Sequence, residues 1–157
     1  MKKPSPASRS KARRFVLQAL YQMQMNGDSA ADVFAQFVQD NDMKKVDTQY
    51  LRELLMGIDV TRASLLELIA PKLERDLKEV DPIETAALLV GTYELCHRIE
   101  LPYRVAINEG VELAKQFGGA ESHKLVNSVL DGLAKEVREV EYQARQNSSP
   151  KTGPSTG

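Results

Sequence analysis

Apolar residues recur along this chain at the three-to-four spacing of an α-helix, and nowhere in the two-residue alternation of a strand. Val16, Ala19, Leu20 and Met23 stand at i, i+3, i+4 and i+7, which predicts a first helix over residues 10–25. Asn26-Gly27-Asp28 ends it. A shorter second helix starts after Ser29 as its cap, carries a narrow seam of Val33, Phe34, Phe37 and Val38, and stops near Asp40-Asn41-Asp42. Asp47 caps a long third helix, in which Leu51, Leu54, Leu55, Ile58, Leu65, Leu66 and Ile69 hold the period up to Pro71. The proline ring breaks or kinks the helix there.

The strongest start signal follows a charged stretch over residues 72–79: Asp81-Pro82-Ile83-Glu84 supplies an N-cap, a proline in the first turn and an acid placed to close a capping box. That helix runs to about residue 98, where Leu101-Pro102 interrupts the chain. A fifth helix covers PYRVAINEGVELAKQF and ends at Gly118-Gly119. The last runs from Ser122 through Leu125, Val126, Val129, Leu130, Leu133 and Val137 towards Tyr142. The prediction is an all-α fold of about six or seven helices in two small packed bundles. A basic, flexible arm over residues 1–9 precedes one domain over 10–143, subdivided near residue 79, and a disordered Ser/Gly/Pro-rich tail occupies 144–157.

Composition agrees with that pattern. The 157 residues suit one domain, 42% of them are hydrophobic, and the chain has no Trp but many Leu, Ala, Glu, Lys and Gln. The single cysteine, Cys96, has no partner for an internal disulfide. No apolar run reaches membrane-spanning length, and the N-terminal charges have no apolar leader segment behind them. The expectation is a soluble cytoplasmic protein with no membrane partner.

The net charge of −1 hides an asymmetry. Residues 1–14 carry six cations, Lys2, Lys3, Arg9, Lys11, Arg13 and Arg14, and no acid, which leaves 15 cations against all 22 acids in the remainder. A basic arm on an acidic body suits a polyanion, because clustered cations release counterions from phosphates. It equally suits a solvated tail, and charge alone does not separate the two.

The fifth helix raises a question of chemistry. At about 100° per residue, Ala106, Ile107, Gly110, Val111, Leu113, Ala114 and Phe117 share one face, while Asn108, Glu109, Glu112, Lys115 and Gln116 fill the other. The pair Glu109 and Glu112 could be read as an acid/base or metal site, but their side of the helix is the wet one, so a solvated face is expected. His97 and Cys96 are adjacent and diverge on a helix, a poor arrangement for a nucleophile and its base. His123 opens a helix and reads as a surface or capping residue. With no metal-ligand spacing and no phosphate-cradling glycine motif, the expectation is a binding protein, not an enzyme, with no cofactor and no metal.

Four segments in order, ARRFVLQALYQM, TYEL, LPYRVAINEGVELAKQFG and SHKLVNSVLDGL, resemble the NusB transcription antitermination factors over about residues 10–138. The resemblance implies an all-helical fold, no enzymatic activity and a complex with NusE, a small-subunit ribosomal protein. It implies binding to the single-stranded boxA element of nascent ribosomal RNA, with no DNA, and entry into an RNA polymerase antitermination complex with other Nus factors. By position, the RNA surface would comprise Arg9, Lys11, Arg13, Arg14, Tyr21, Phe117, Gly118, Glu121, Ser122 and Lys124, with Tyr21 and Glu84 also facing NusE. A Gly-rich turn into a helix start offers backbone N–H groups to an anion, and aromatics stack on splayed bases. Phe117 is either such a ring or part of the core, and Glu84 is either a partner contact or a cap. The chain departs from the family pattern at Leu125, where Phe is common, and at Leu89, where Arg is frequent. Two other readings stay open: a helical adaptor without RNA readout, and a stand-alone relative of the module that precedes some rRNA cytosine methyltransferase domains.

Overall fold

A computed structural model of the chain describes residues 5–148, and those residues hold seven α-helices and no strand. They are α1 (Pro6–Asn26), α2 (Ala30–Asp40), α3 (Thr48–Ile69), α4 (Pro82–His97), α5 (Tyr103–Phe117), α6 (Ser122–Val137) and α7 (Glu139–Ser148). The predicted caps form: Ser29, Asp47 and Asp81 accept from the backbone N–H of Asp32, Tyr50 and Ile83. Pro71 converts the end of α3 into a 3-10 turn, Ala70–Lys72, and a second such turn, Leu77–Glu79, leads into α4.

Three boundaries differ from the sequence expectation. Helix α1 starts at Pro6, because Ser5 and Ser8 exchange hydrogen bonds in a capping box with proline at the first position. Residues 6–9 are therefore helix, not a flexible arm, and Lys2 and Lys3 lie outside the described residues. The last predicted helix is two helices, with a break at Arg138 (φ −123°, ψ 39°). Its buried guanidinium donates to the carbonyls of Leu95 (2.7 Å), Glu94 (3.2 Å) and Arg98 (3.0 Å) at the end of α4. Glu141 accepts from Arg138 at 2.6 Å and from the Tyr103 N–H, at the start of α5, at 2.9 Å. The bend thus satisfies two helix ends that would otherwise hold unpaired backbone groups. Residues 144–148, expected in the tail, complete α7, and 149–157 lie outside the described residues.

The apolar stripes meet in one core that draws on both halves of the chain. Leu130 of α6 sits where α4 and α5 each offer a glycine. A Cβ at Gly91 or Gly110 would lie 2.5 or 2.6 Å from the Leu130 Cδ1, so the two glycines let three helices close around that side chain. The predicted inner face of α5 is buried at Ala106, Ile107, Gly110, Leu113 and Ala114. Leu89 is fully buried in α4 and presents nothing to a ligand.

Candidate nucleic-acid interface

Helix geometry sorts the cations of α1 into two groups. Arg9 and Arg13, four residues apart, share one side; Lys11, Arg14, Gln18 and Tyr21 follow each other at three- and four-residue steps along another.

The first side faces Tyr50 and acidic partners: Arg13 is buried there, which takes it out of reach of a phosphate, while Arg9 is part-buried and ion-paired. Arg13 is only 2% exposed; its Nε donates to Glu94 at 2.8 Å and its Nη1 to Glu109 at 2.9 Å. The Tyr50 hydroxyl also donates to Glu94, and Ser10 Oγ donates to Glu109 at 2.8 Å. Arg9 pairs with Asp47 at 3.5 Å and lies 4.4 Å from the centre of the Tyr50 ring, with Arg98 at 5.1 Å from it. Burial works against charge on Arg13, but Glu94, Tyr50 and Glu109 outweigh it and hold the guanidinium ionised. Burial pushes the Glu94 carboxyl up, against the pull of Arg13 and Tyr50, and burial with Glu94 pushes the Tyr50 hydroxyl far up.

Glu109 is accordingly not a solvated residue, as the α5 pattern predicts, but the partner that closes this cluster from the other side. Glu94 escaped the sequence reading although it lies in the TYEL segment. Its signal was an acid in a helix whose residues are apolar almost all round, since α4 buries nearly everything from Glu84 to Leu95.

The second side of α1 stays open. Among the described residues Lys11 and Arg14 form no ion pair, and with Phe15 and Gln18 they line a groove of about 590 Å³ whose far side is Lys45, Gln116 and Phe117. A neighbouring groove of about 570 Å³ contains Tyr21, Met25, Phe37 and Ile83, and Phe117 borders it too. Tyr21 is 38% exposed, enough to offer a ring face and its hydroxyl. Phe117 is half-buried: it packs on the core and also lines both grooves.

The α5–α6 turn is braced from below. Ser122 Oγ donates to Glu84 at 2.6 Å and accepts from the Gly119 N–H at 3.0 Å. Ser122 is buried, and it supports the turn without facing a ligand. Glu84, expected to close a capping box with Asp81, instead takes this hydroxyl, with Arg75 at 3.8 Å. Gly118 is required by space: a Cβ there would lie 2.7 Å from the Ser122 Cβ and Oγ and 2.8 Å from the Ala114 carbonyl oxygen. Two N–H groups at the start of α6 are already used, Ser122 to Gly119 O and Lys124 to Glu121 O, which narrows the anion cradle expected there. Glu121 and Lys124 are exposed and pair at 3.0 Å, a surface contact that a competing phosphate can displace. Leu125 is half-buried beside them. No helix among the described residues is long and apolar enough to cross a membrane.

Comparison with known proteins adds four findings. The family model described as the NusB family matches residues 10–135. The transcription antitermination protein NusB of Marinobacter nauticus is 49% identical over 142 residues, covering 90% of both chains. That of a Marinomonas species is 50% identical, covering 94% of this chain and 87% of its own. Among solved structures, T. maritima NusB superposes with a TM-score of 0.76 at 28% identity, covering 91% of this chain and 99% of its own.

Proposed function

The chain belongs to the NusB family, and from that premise we propose that it is an RNA-binding antitermination factor of the bacterial cytoplasm. It pairs with NusE on the boxA element of nascent ribosomal RNA, joins the other Nus factors on RNA polymerase, limits premature termination and aids rRNA processing. The observation that carries the RNA half of this reading is the open side of α1, where Lys11 and Arg14 stay unpaired beside Phe117. Single-stranded RNA is the polymer that brings both phosphates and splayed bases to such a surface. Lys124 on the far side of the braced turn supplies a third cation at the cost of a weak surface pair. NusE covers the flank of Tyr21, which lines the second groove, and Glu84, buried beneath the turn, supports that flank from within.

Fluorescence anisotropy of a boxA-like RNA and a scrambled control, with and without NusE, tests this. Three phosphate contacts give a log–log salt slope of about −2.1, roughly an 18-fold loss of affinity from about 50 to 200 mM salt. That slope, with a preference for boxA that sharpens when NusE is added, is the expected result. Tight NusE binding with no RNA preference would leave a protein adaptor instead.

A further inference from the structure

The groove beside α1 has a second cationic wall that no resemblance assigns. Lys45 stands in the α2–α3 connection, across the groove from Lys11 and Arg14, and like them it forms no ion pair. Most other described cations are engaged: Arg9, Arg13, Arg98 and Arg138 in the interior contacts above, and Lys72, Arg75, Lys115, Lys124 and Lys135 with nearby acids. Three unpaired cations facing one cavity leave an uncompensated positive field, and the one acid on its wall, Asp42, already accepts from the Lys44 N–H. Two aromatic rings, Phe15 and Phe117, line the same groove.

The position of Lys45 is also fixed. The Asp47 N–H donates to the Ser8 carbonyl of α1 at 3.1 Å, the Asp47 carboxylate pairs with Arg9, and the Val46 N–H closes a tight turn on Met43 O. The loop is tied to α1 two residues after Lys45, so the separation of the two walls is set before any ligand arrives, and little loop entropy is lost on binding. Arg9, through its pair with Asp47, is here a positioning residue for the cleft.

We propose that this groove is a two-walled phosphate cleft for single-stranded RNA, with Lys45 gripping the backbone opposite Lys11 and Arg14 while a base lies against Phe15 and Phe117. The inference rests on the RNA reading above and adds one phosphate contact to it, which steepens the expected slope from about −2.1 to about −2.8.

The test is the same anisotropy titration on full-length Lys45→Ala and Lys45→Glu, with Arg104→Ala as control. Arg104 is an exposed, unpaired cation at the other end of α5, roughly 20 Å along the helix from Phe117. Lys45→Ala should flatten the slope by about 0.7, weakening binding roughly eightfold at 50 mM salt and roughly threefold at 200 mM. Lys45→Glu should weaken it more, and Arg104→Ala should match the parent. Wild-type affinity and slope in Lys45→Ala, with a Lys11→Ala, Arg14→Ala variant impaired, would overturn the second wall and leave the RNA reading intact. Loss of NusE affinity with RNA binding unchanged would assign the wall to a protein and overturn the proposal. A parent protein with no salt-dependent RNA binding would remove the RNA reading and the cleft together.

Discussion

Arg13 and Arg14 are neighbours in the sequence and end in opposite settings. Arg13 is sealed between Glu94, Tyr50 and Glu109, and its charge holds three other helices to α1. Arg14 is turned about 100° away and lines an open groove without a partner. The same residue type is a structural pin in one place and an unspent charge in the other. Basic residues at the head of a helix are thus not interchangeable evidence for a polyanion site. Only those whose charge nothing inside the protein neutralises remain to attract phosphate.

The comparison breaks most visibly at the pin. Arg13→Ala leaves Glu94 buried with its main cation gone, and should cost about 3–5 kcal/mol in urea unfolding. Arg13→Lys should recover only part of that, because an ammonium cannot reach Glu94 and Glu109 through one planar fork. The groove should answer in the opposite sense. The double variant Lys11→Ala, Arg14→Ala should unfold within about 0.5 kcal/mol of the parent, while RNA affinity at 50 mM salt falls tens of times, roughly 2.5 kcal/mol, and the slope flattens by about 1.4. Unchanged RNA binding in that variant would end the distinction between the two sides of α1.

Smaller effects sharpen the boundary between pin and surface. Gly118→Ala forces a Cβ against Ser122 and the Ala114 carbonyl, and should destabilise by about 1–3 kcal/mol while disturbing the turn that carries Phe117 and Lys124. Calorimetry reads the first effect and anisotropy the second. Glu121→Gln removes an exposed ion pair and should change stability by less than about 0.5 kcal/mol. It should raise RNA affinity slightly, since Lys124 no longer has a competing carboxylate. The least perturbing probe is Cys96, next but one to Glu94 on α4. Burial pushes its thiol up and Arg138 only partly opposes this, so the thiolate fraction near pH 8 is below that of a free cysteine. Alkylation should be slow in the native protein and accelerate in urea; rapid native alkylation would mean that the polar interior opens readily.

Much of the fold was readable along the chain because helix signals are local. The caps Ser29, Asp47 and Asp81, the break at Pro71 and the buried faces of α3 and α5 depend on residues within a turn or two of one another. The start of α1 at Pro6 was local too, in the Ser5 and Ser8 pair, but a run of cations around it suggested a loose arm. The break at Arg138 was not local, since its cause is a set of carbonyls some 40 residues upstream.

The candidate site divides in the same way. Lys11, Arg14, Tyr21 and Lys124 were legible as surface residues because nothing distant claims them, whereas Phe117 also packs on the core. Arg9, Arg13, Glu84, Glu109 and Ser122 have partners inside the protein that the sequence did not show, because something distant claims them. Arg13 meets Glu94 across 81 positions and Glu109 across 96, and Ser122 meets Glu84 across 38. The amino-acid sequence by itself determined where the helices lie, which faces are apolar and how many cations gather at the head of α1. Which of those cations stay free was decided by tertiary packing alone. A charge is spent or unspent according to the partner brought within hydrogen-bond reach, and helical periodicity carries a residue's angle about its own axis but not the identity of what packs against it.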